Sequence, residues 1–371
     1  MSSIVVVGGG AVGLATAWVL VGKGYHVIVV SDRAGEDCVS GGAGAIWEFP
    51  PFQIEPLEEA RGWLMASLDV FNILANDSDT GVVQRRVGYY FCTSTCVVPR
   101  GTEGLAGFGY FNASAPNDSG LSLPIHACVD RPEFIGREFL SGFYYSAPVI
   151  HMRSYLPWLR SRLIARGVCF VTHRVTNLEK PLLGFQGIIS SKKWDLIVNC
   201  TGLQSGVLCH DDNIYPLRGS MVFVHAPMVS DVVCDESFQG PALCYIVPQK
   251  NGVVACAGCT EANNTSIDVD LSEQKAILAR CYRLVPALVD ARVVGTWAGL
   301  RPARRGGCRI ELQPISSNDA PRIIHNYGHG GSGVVTSWGC ADVVARLVAS
   351  VFSPVSSPAS SCNYLRNTSK L

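Results

Sequence analysis

A β-branched run, Ile4 to Val7, leads straight into Gly8-Gly9-Gly10-Ala11-Val12-Gly13 and then into an apolar run ending near Gly24. The pattern G-x-G-x-x-G sits where a buried strand would turn into a helix, Ala11 to Val21, with a second strand at Val27 to Val30. Such a βαβ opening predicts a parallel sheet. Each glycine has a physical task. Gly8 makes the turn, Gly10 lets backbone approach a pyrophosphate, and Gly13 allows close helix–strand packing. The helix N-terminus, opened by Ala11 and Val12, stabilises a diphosphate, and Asp32 at the end of the second strand accepts from ribose hydroxyls. A dinucleotide is therefore expected, although the motif does not separate FAD from NAD.

Met1 to Gly22 carries no charged residue, so a hydropathy window alone would read a membrane span. The three consecutive glycines break that stretch, and a soluble protein with no membrane partner is expected. Of the 371 residues 48% are hydrophobic, enough for a sizeable core. Lys+Arg and Asp+Glu balance at 30 each, which predicts no polyanion-binding surface and no nucleic-acid partner. No secretory leader precedes the first apolar run, so the 15 cysteines predict no disulfide framework and the N-x-S/T triplets at Asn76, Asn112 and Asn263 are discounted. Cys256-Ala-Gly-Cys259 lacks a second pair to complete a zinc site; it reads as buried small hydrophobes, and no metal is expected.

Further along, Glu58 to Asn76 has helical periodicity, and Gly81 to Asp130 suits an antiparallel β region. Ser154 to Arg166 reads as a helix with Tyr155, Trp158, Leu159 and Leu163 on one face, followed by a strand near Val168 to Val171. Asp195 to Val198 is another buried strand, broken at Asn199-Cys200-Thr201-Gly202. Strand-like runs follow near 220–225, 243–247 and 253–256, then a helix over 274–285. The last unit is a strand, Arg322 to His325, a Gly-rich turn, and a helix to about Val351. From Ser353 the composition predicts a disordered tail. The organisation is thus discontinuous and α/β. Segments 1–52, 146–204 and 296–352 would assemble a Rossmann-like dinucleotide-binding domain, and 53–145 with 205–295 a second, mostly antiparallel β domain for substrate.

Three other features carry chemistry. The turn His329-Gly330-Gly331-Ser332-Gly333 joins a strand to a helix, where amides and a helix dipole can face electron density; a crowded chain crossing would need the same glycines. Gly299-Leu300-Arg301-Pro302-Ala303-Arg304-Arg305 is a basic cluster that by itself reads as a solvated loop, yet one buried arginine in it would grip a carboxylate. Ser369-Lys370-Leu371 matches the peroxisomal address, which predicts a matrix location and an import receptor as partner.

Together these segments resemble the D-amino-acid oxidase family, which includes D-aspartate oxidase, from about Ile4 to Val351. The most specific stretches are Val198 to Gly202, Tyr245-Ile246-Val247-Pro248, Gly299 to Gly307 and His325 to Gly331, with Asp32-Arg33 and Ala43 to Trp47 matching as well. The resemblance implies non-covalent FAD, hydride loss from the substrate α-carbon to flavin N5, and electron transfer to molecular oxygen. The products would be hydrogen peroxide and an imino acid, which hydrolyses to a 2-oxo acid and ammonia. It further implies that Arg301 clamps the α-carboxylate, Tyr245 donates to it, and the Gly331 carbonyl accepts from the amino group. FAD would lie against Asp32, Arg33, Ser40, Gly44, Ala45, Trp47, Val175, Thr201, Gly202 and Arg301. The amides of Gly331, Ser332, Gly333, Val334 and Val335, beside Gly330, would face the flavin.

The departures concern specificity. Pro241 stands where many animal members have a lid tyrosine, Val335 replaces a polar residue near the flavin, and Glu48 replaces a glutamine, with a pocket or a surface position both open. D-aspartate oxidases place a lid arginine where this chain has Phe238, while Asp231, Asp235 and Glu236 precede Tyr245. Neutral or basic D-amino acids are therefore expected over D-aspartate. A glycine- or sarcosine-type amine oxidase and a non-catalytic nucleotide-binding protein are the alternative readings, and a homodimer is left open.

Overall fold

The computed structural model describes residues 2–33, 35–48, 54, 56–99, 101–112, 141–180, 194–237, 240–314 and 320–352. The expected β region beyond residue 112, Phe238 and the tail with Ser369-Lys370-Leu371 lie outside the described residues.

The chain opens with β1 (Ser3–Val7), α1 (Ala11–Gly22), β2 (His26–Ser31) and α2 (Leu57–Asn76). Next come β3 (Val83–Cys92), β4 (Gly109–Asn112), β5 (Ser141–Ile150), α3 (Met152–Ala165), β6 (Cys169–Thr172) and β7 (Leu196–Asn199). The short α4 (Ser205–Leu208) leads to β8 (Ile214–His225), β9 (Val232–Asp235), β10 (Ala242–Pro248), β11 (Val253–Cys259), β12 (Glu261–Ala262) and α5 (Leu271–Leu284). The last elements are β13 (Arg292–Arg304), β14 (Arg309–Leu312), β15 (Arg322–Tyr327) and α6 (Ser337–Phe352).

One sheet runs β14-β15-β7-β1-β2-β6 and is parallel apart from its edge strand β14. Its central strand is buried on both faces, as a run of β-branched residues requires. Ile4 and Val6 join the main core with α1, α3 and α6, while Val5 and Val7 pack with Ile28, Ile197 and Ile323 on the other face. The other sheet runs β12-β8-β11-β10-β9-β3-β5-β4, with β13 also paired to β8, and is antiparallel except where β3 meets β9. Helix α5 covers one face of it through Ile277, Leu278, Cys281 and Leu284. Its start is held by Asp270, whose carboxylate accepts from the Glu273 amide at 2.8 Å.

Several expectations need correction. The basic cluster is not a solvated loop: Arg301 to Arg304 end β13, in register with Leu217 to Ile214 of β8. The buried face of α3 uses Leu156 with Tyr155, Leu159 and Leu163, while Trp158 is only half-buried. Cys92 and Cys96 form a disulfide, where none was expected. The expected boundaries at residues 146 and 296 fall inside β5 and β13, both strands of the second sheet. Among the described residues no helix is long and apolar enough to cross a membrane.

Candidate active site

A cavity of about 1190 Å³ runs from the β1–α1 turn to the second sheet. Its first part is built from backbone. Gly8 has φ +118°, and a Cβ on Gly13 would lie 1.9 Å from the Gly8 carbonyl oxygen, so strand and helix approach this closely only through glycine. Leu14 donates to Gly10 and Ala11 to the Ser40 hydroxyl, at 2.9 and 3.2 Å. The amides of Val12 and Gly13 belong to the first helical turn, which has no intrahelical acceptor. Asp32 and Arg33 line the cavity at the end of β2 with exposed side chains.

Behind this turn lies Asn199-Cys200-Thr201-Gly202. Asn199, fully buried, accepts from the Thr201 amide (3.1 Å) and hydroxyl (2.7 Å), pinning the chain so that Gly202 turns at φ +58°. On the opposite wall the turn after β15 presents Gly331 openly, while the amides of Val334 and Val335 find no acceptor among the described residues. Two buried polar atoms of the lining, His329 Nε2 and Asn326 Oδ1, are likewise unpartnered. Burial pulls His329 down to about 4, so its ring is neutral near pH 7.

The far end is formed by β13, β8 and β10. Arg301 donates to the carbonyls of Arg218 (3.3 Å) and Cys259 (3.2 Å), and its guanidinium lies over Gly219. A Cβ there would be 2.2 Å from Arg301 Cζ, so the glycine opposite makes room for the clamp. Arg218 is itself anchored by Glu273 and Glu261 at 2.7 and 3.2 Å. Tyr245 meets Arg301: burial raises its phenol, and the guanidinium's charge and hydrogen bond pull it back. Ala303 bridges to His329, tying the arginine strand to the Gly-rich turn.

Glu48 lines this end of the cavity, which settles its open position in favour of the pocket. Burial, then the charge of Glu236, raises its carboxyl to about 8. Ligand atoms of Glu48, Cys234 and Glu236 all lie within 4.8 Å of one another, a grouping the sequence did not reveal. Burial raises Cys234 most, and the carboxyls of Glu48 and Glu236 add to it, so its thiol stays protonated. Of the other acids before Tyr245, Asp235 is paired with Arg283, and Asp231 and Pro241 do not line the cavity.

Arg301, Tyr245, Gly331 and the expected FAD-lining residues meet in this one cavity, with Trp47 as the exception. Its side chain is fully buried in the core, donating to the Leu64 carbonyl at 3.1 Å, so it supports the adjacent Gly44-Ala45 segment from behind. Met221, Trp297, Tyr90 and Phe143 line the cavity without having been anticipated, because period-two alternation marks a core face and not which part of it stays open.

Residues 3–347 match the family model of FAD dependent oxidoreductases. The chain belongs to that family. A D-amino-acid oxidase of Streptomyces coelicolor is 33% identical over 345 residues, covering 93% of this chain and 96% of the relative. One from Rubrobacter xylanophilus is 33% identical over 353 residues, covering 94% and 96%. Human D-aspartate oxidase is 28% identical over 354 residues. Among solved structures, glycine oxidase from Bacillus cereus superposes with TM-score 0.71 at 17% identity, covering 94% of this chain and 95% of that one, a likeness of fold. FAD fits the cavity: a glycine turn for its diphosphate, Asp32 at the ribose position, and amides and orphaned polar atoms along the walls. FAD is the cofactor of this oxidoreductase.

Proposed function

We propose that the chain oxidatively deaminates D-amino acids to 2-oxo acids, ammonia and hydrogen peroxide, consuming oxygen and water, and that its substrates are neutral or basic. The observation that carries this reading is Arg301, fixed over Gly219 and touching Tyr245 at the end of the FAD cavity. An anchored guanidinium pairs with a carboxylate through two parallel hydrogen bonds and orients the molecule that bears it. With the α-carboxylate on Arg301 and the Tyr245 hydroxyl donating to it, the Gly331 carbonyl accepts a hydrogen bond from the amino group. Bound FAD supplies the two-electron acceptor for the α-carbon's hydride. Met221, Phe143 and Tyr90 keep the lining largely apolar, which strengthens the charge pairing by excluding water. Glu48 and Glu236 disfavour a second carboxylate on the substrate.

The test is a visible spectrum of the purified protein followed by anaerobic addition of D-alanine or L-alanine. Oxidised-flavin absorbance is expected to bleach with D-alanine and persist with L-alanine. Persistence with every D-amino acid, with bleaching by sarcosine or glycine, overturns the reading in favour of an amine oxidase. Ser369-Lys370-Leu371 supports a second proposal, a peroxisomal matrix enzyme met by an import receptor; a fluorescent fusion ending in this tripeptide should become cytosolic when it is removed.

A further inference from the structure

Glu48 and Glu236 stand close together, and both line the cavity. No ion pair or side-chain hydrogen bond reaches either carboxylate among the described residues. Arg283 is paired with Asp235, and Arg301 donates to two backbone carbonyls. The carboxylates do not stand alone, since Cys234, 3% exposed, brings an unpartnered thiol to the same corner. The corner is part of the substrate end, because Tyr245 and Arg301 line the same cavity and Tyr245 lies within electrostatic reach of both Arg301 and Glu48.

Two carboxylates whose oxygens lie within 4.8 Å of each other repel, and a ligand that brings a cation between them relieves the cost. A molecule whose carboxylate sits on Arg301 and whose other end is positive would satisfy both ends of the pocket together. We propose that Glu48 and Glu236 form a side-chain subsite for the distal ammonium or guanidinium of a basic D-amino acid, the class of D-lysine and D-arginine. The proposal rests on the D-amino-acid reading above and refines it.

Protonation follows from the same geometry. Facing Glu48 are Tyr90 from β3, backed by Tyr145 from β5, Cys234 from β9, Glu236 just after it, and Tyr245 from β10 with Arg301 of β13 behind it. In the empty pocket burial and Glu236 hold the Glu48 proton up to about pH 8, so a cationic side chain displaces it on binding. A neutral side chain does not. Binding of the cation therefore tightens as pH rises toward 8.

The experiment compares D-lysine with D-norleucine, which has the same chain length without the ammonium, in wild type, Glu48→Gln and Glu236→Gln. Flavin absorbance checks that each variant is folded and loaded. In wild type kcat/KM should favour D-lysine, chiefly through KM, and the preference should grow from pH 6.5 to 8. Each glutamine variant should lower the D-lysine to D-norleucine ratio by roughly tenfold or more, as loss of a desolvated charge partner does. In Glu48→Gln the ratio should lose its pH dependence. An unchanged ratio in both variants, or a wild-type preference for D-norleucine, overturns the subsite while leaving D-amino-acid oxidation intact. Oxidation of no D-amino acid at all overturns the underlying reading instead.

Discussion

At Gly219 the absence of a side chain decides where Arg301 rests. A methyl there would overlap the guanidinium at 2.2 Å, and β8 and β13 are paired along this whole stretch, so the arginine would have to move. A misplacement of about 1 Å can cost roughly a hundredfold in rate. Gly219→Ala is expected to lower kcat/KM for D-alanine by about that factor while the flavin spectrum persists; unchanged kinetics would show that the clamp does not depend on this contact. Residues of this kind divide what the sequence made legible from what it hid. Arg301 and Tyr245 could be picked out through the family resemblance, since by itself the arginine cluster reads as a solvated loop. Gly219 could not, because its necessity lies in the side chain of Arg301, 82 positions away, which pairs with Leu217 and reaches diagonally across to it. That Glu48 and Glu236 meet was hidden for a like reason, since only the fold brings them together.

Among the elements, β13 does most to organise the site. Arg301 serves the cavity, and three residues on Arg304 donates to Asp211 at 2.8 Å, as does the Tyr327 hydroxyl of β15. Burial raises Asp211, but the hydrogen bonds from Arg304 and Tyr327 outweigh it and bring the carboxyl down to about 2. The folded pKa lies below the ordinary 3.8, so this link stabilises the fold above pH 3.8 and is lost as pH falls toward 2. Asp211→Asn should cost about 1–3 kcal/mol at neutral pH. It should also flatten the acid limb of the Tm–pH curve between 4 and 2, and a wild-type slope there would refute the assignment. The elements themselves were largely readable: β1, α1, β2, α2 and α6 follow from runs of strong period. β13 escaped because its first residues alternate between exposed and half-buried without an apolar run, and its arginines resemble those of a loop.

For the molecule as a whole, the cavity is the seam between the two sheets, lined by the ends of β1, β2 and β7 on one side and by β8, β10 and β13 on the other. A ligand filling it binds only the folded chain. Bound FAD should therefore add stability of about 2.7 kcal/mol at a hundredfold excess over Kd, and its removal should lower Tm by several degrees, reversibly on adding it back. A Tm indifferent to FAD would contradict a shared seam.

The order in which the strands pair has a consequence for the chain during its synthesis. β1 joins β2 within the first 31 residues, but its other neighbour, β7, begins at residue 196, and β15, which covers β7, at residue 322. While the ribosome works between those points, a nascent βαβ unit presents one bare edge of a strand made of Ile4, Val5, Val6 and Val7. Such an edge is a template for pairing with other chains. Translation beyond two hundred residues thus proceeds with an open apolar flank, and that interval is when this polypeptide most needs a chaperone at its side.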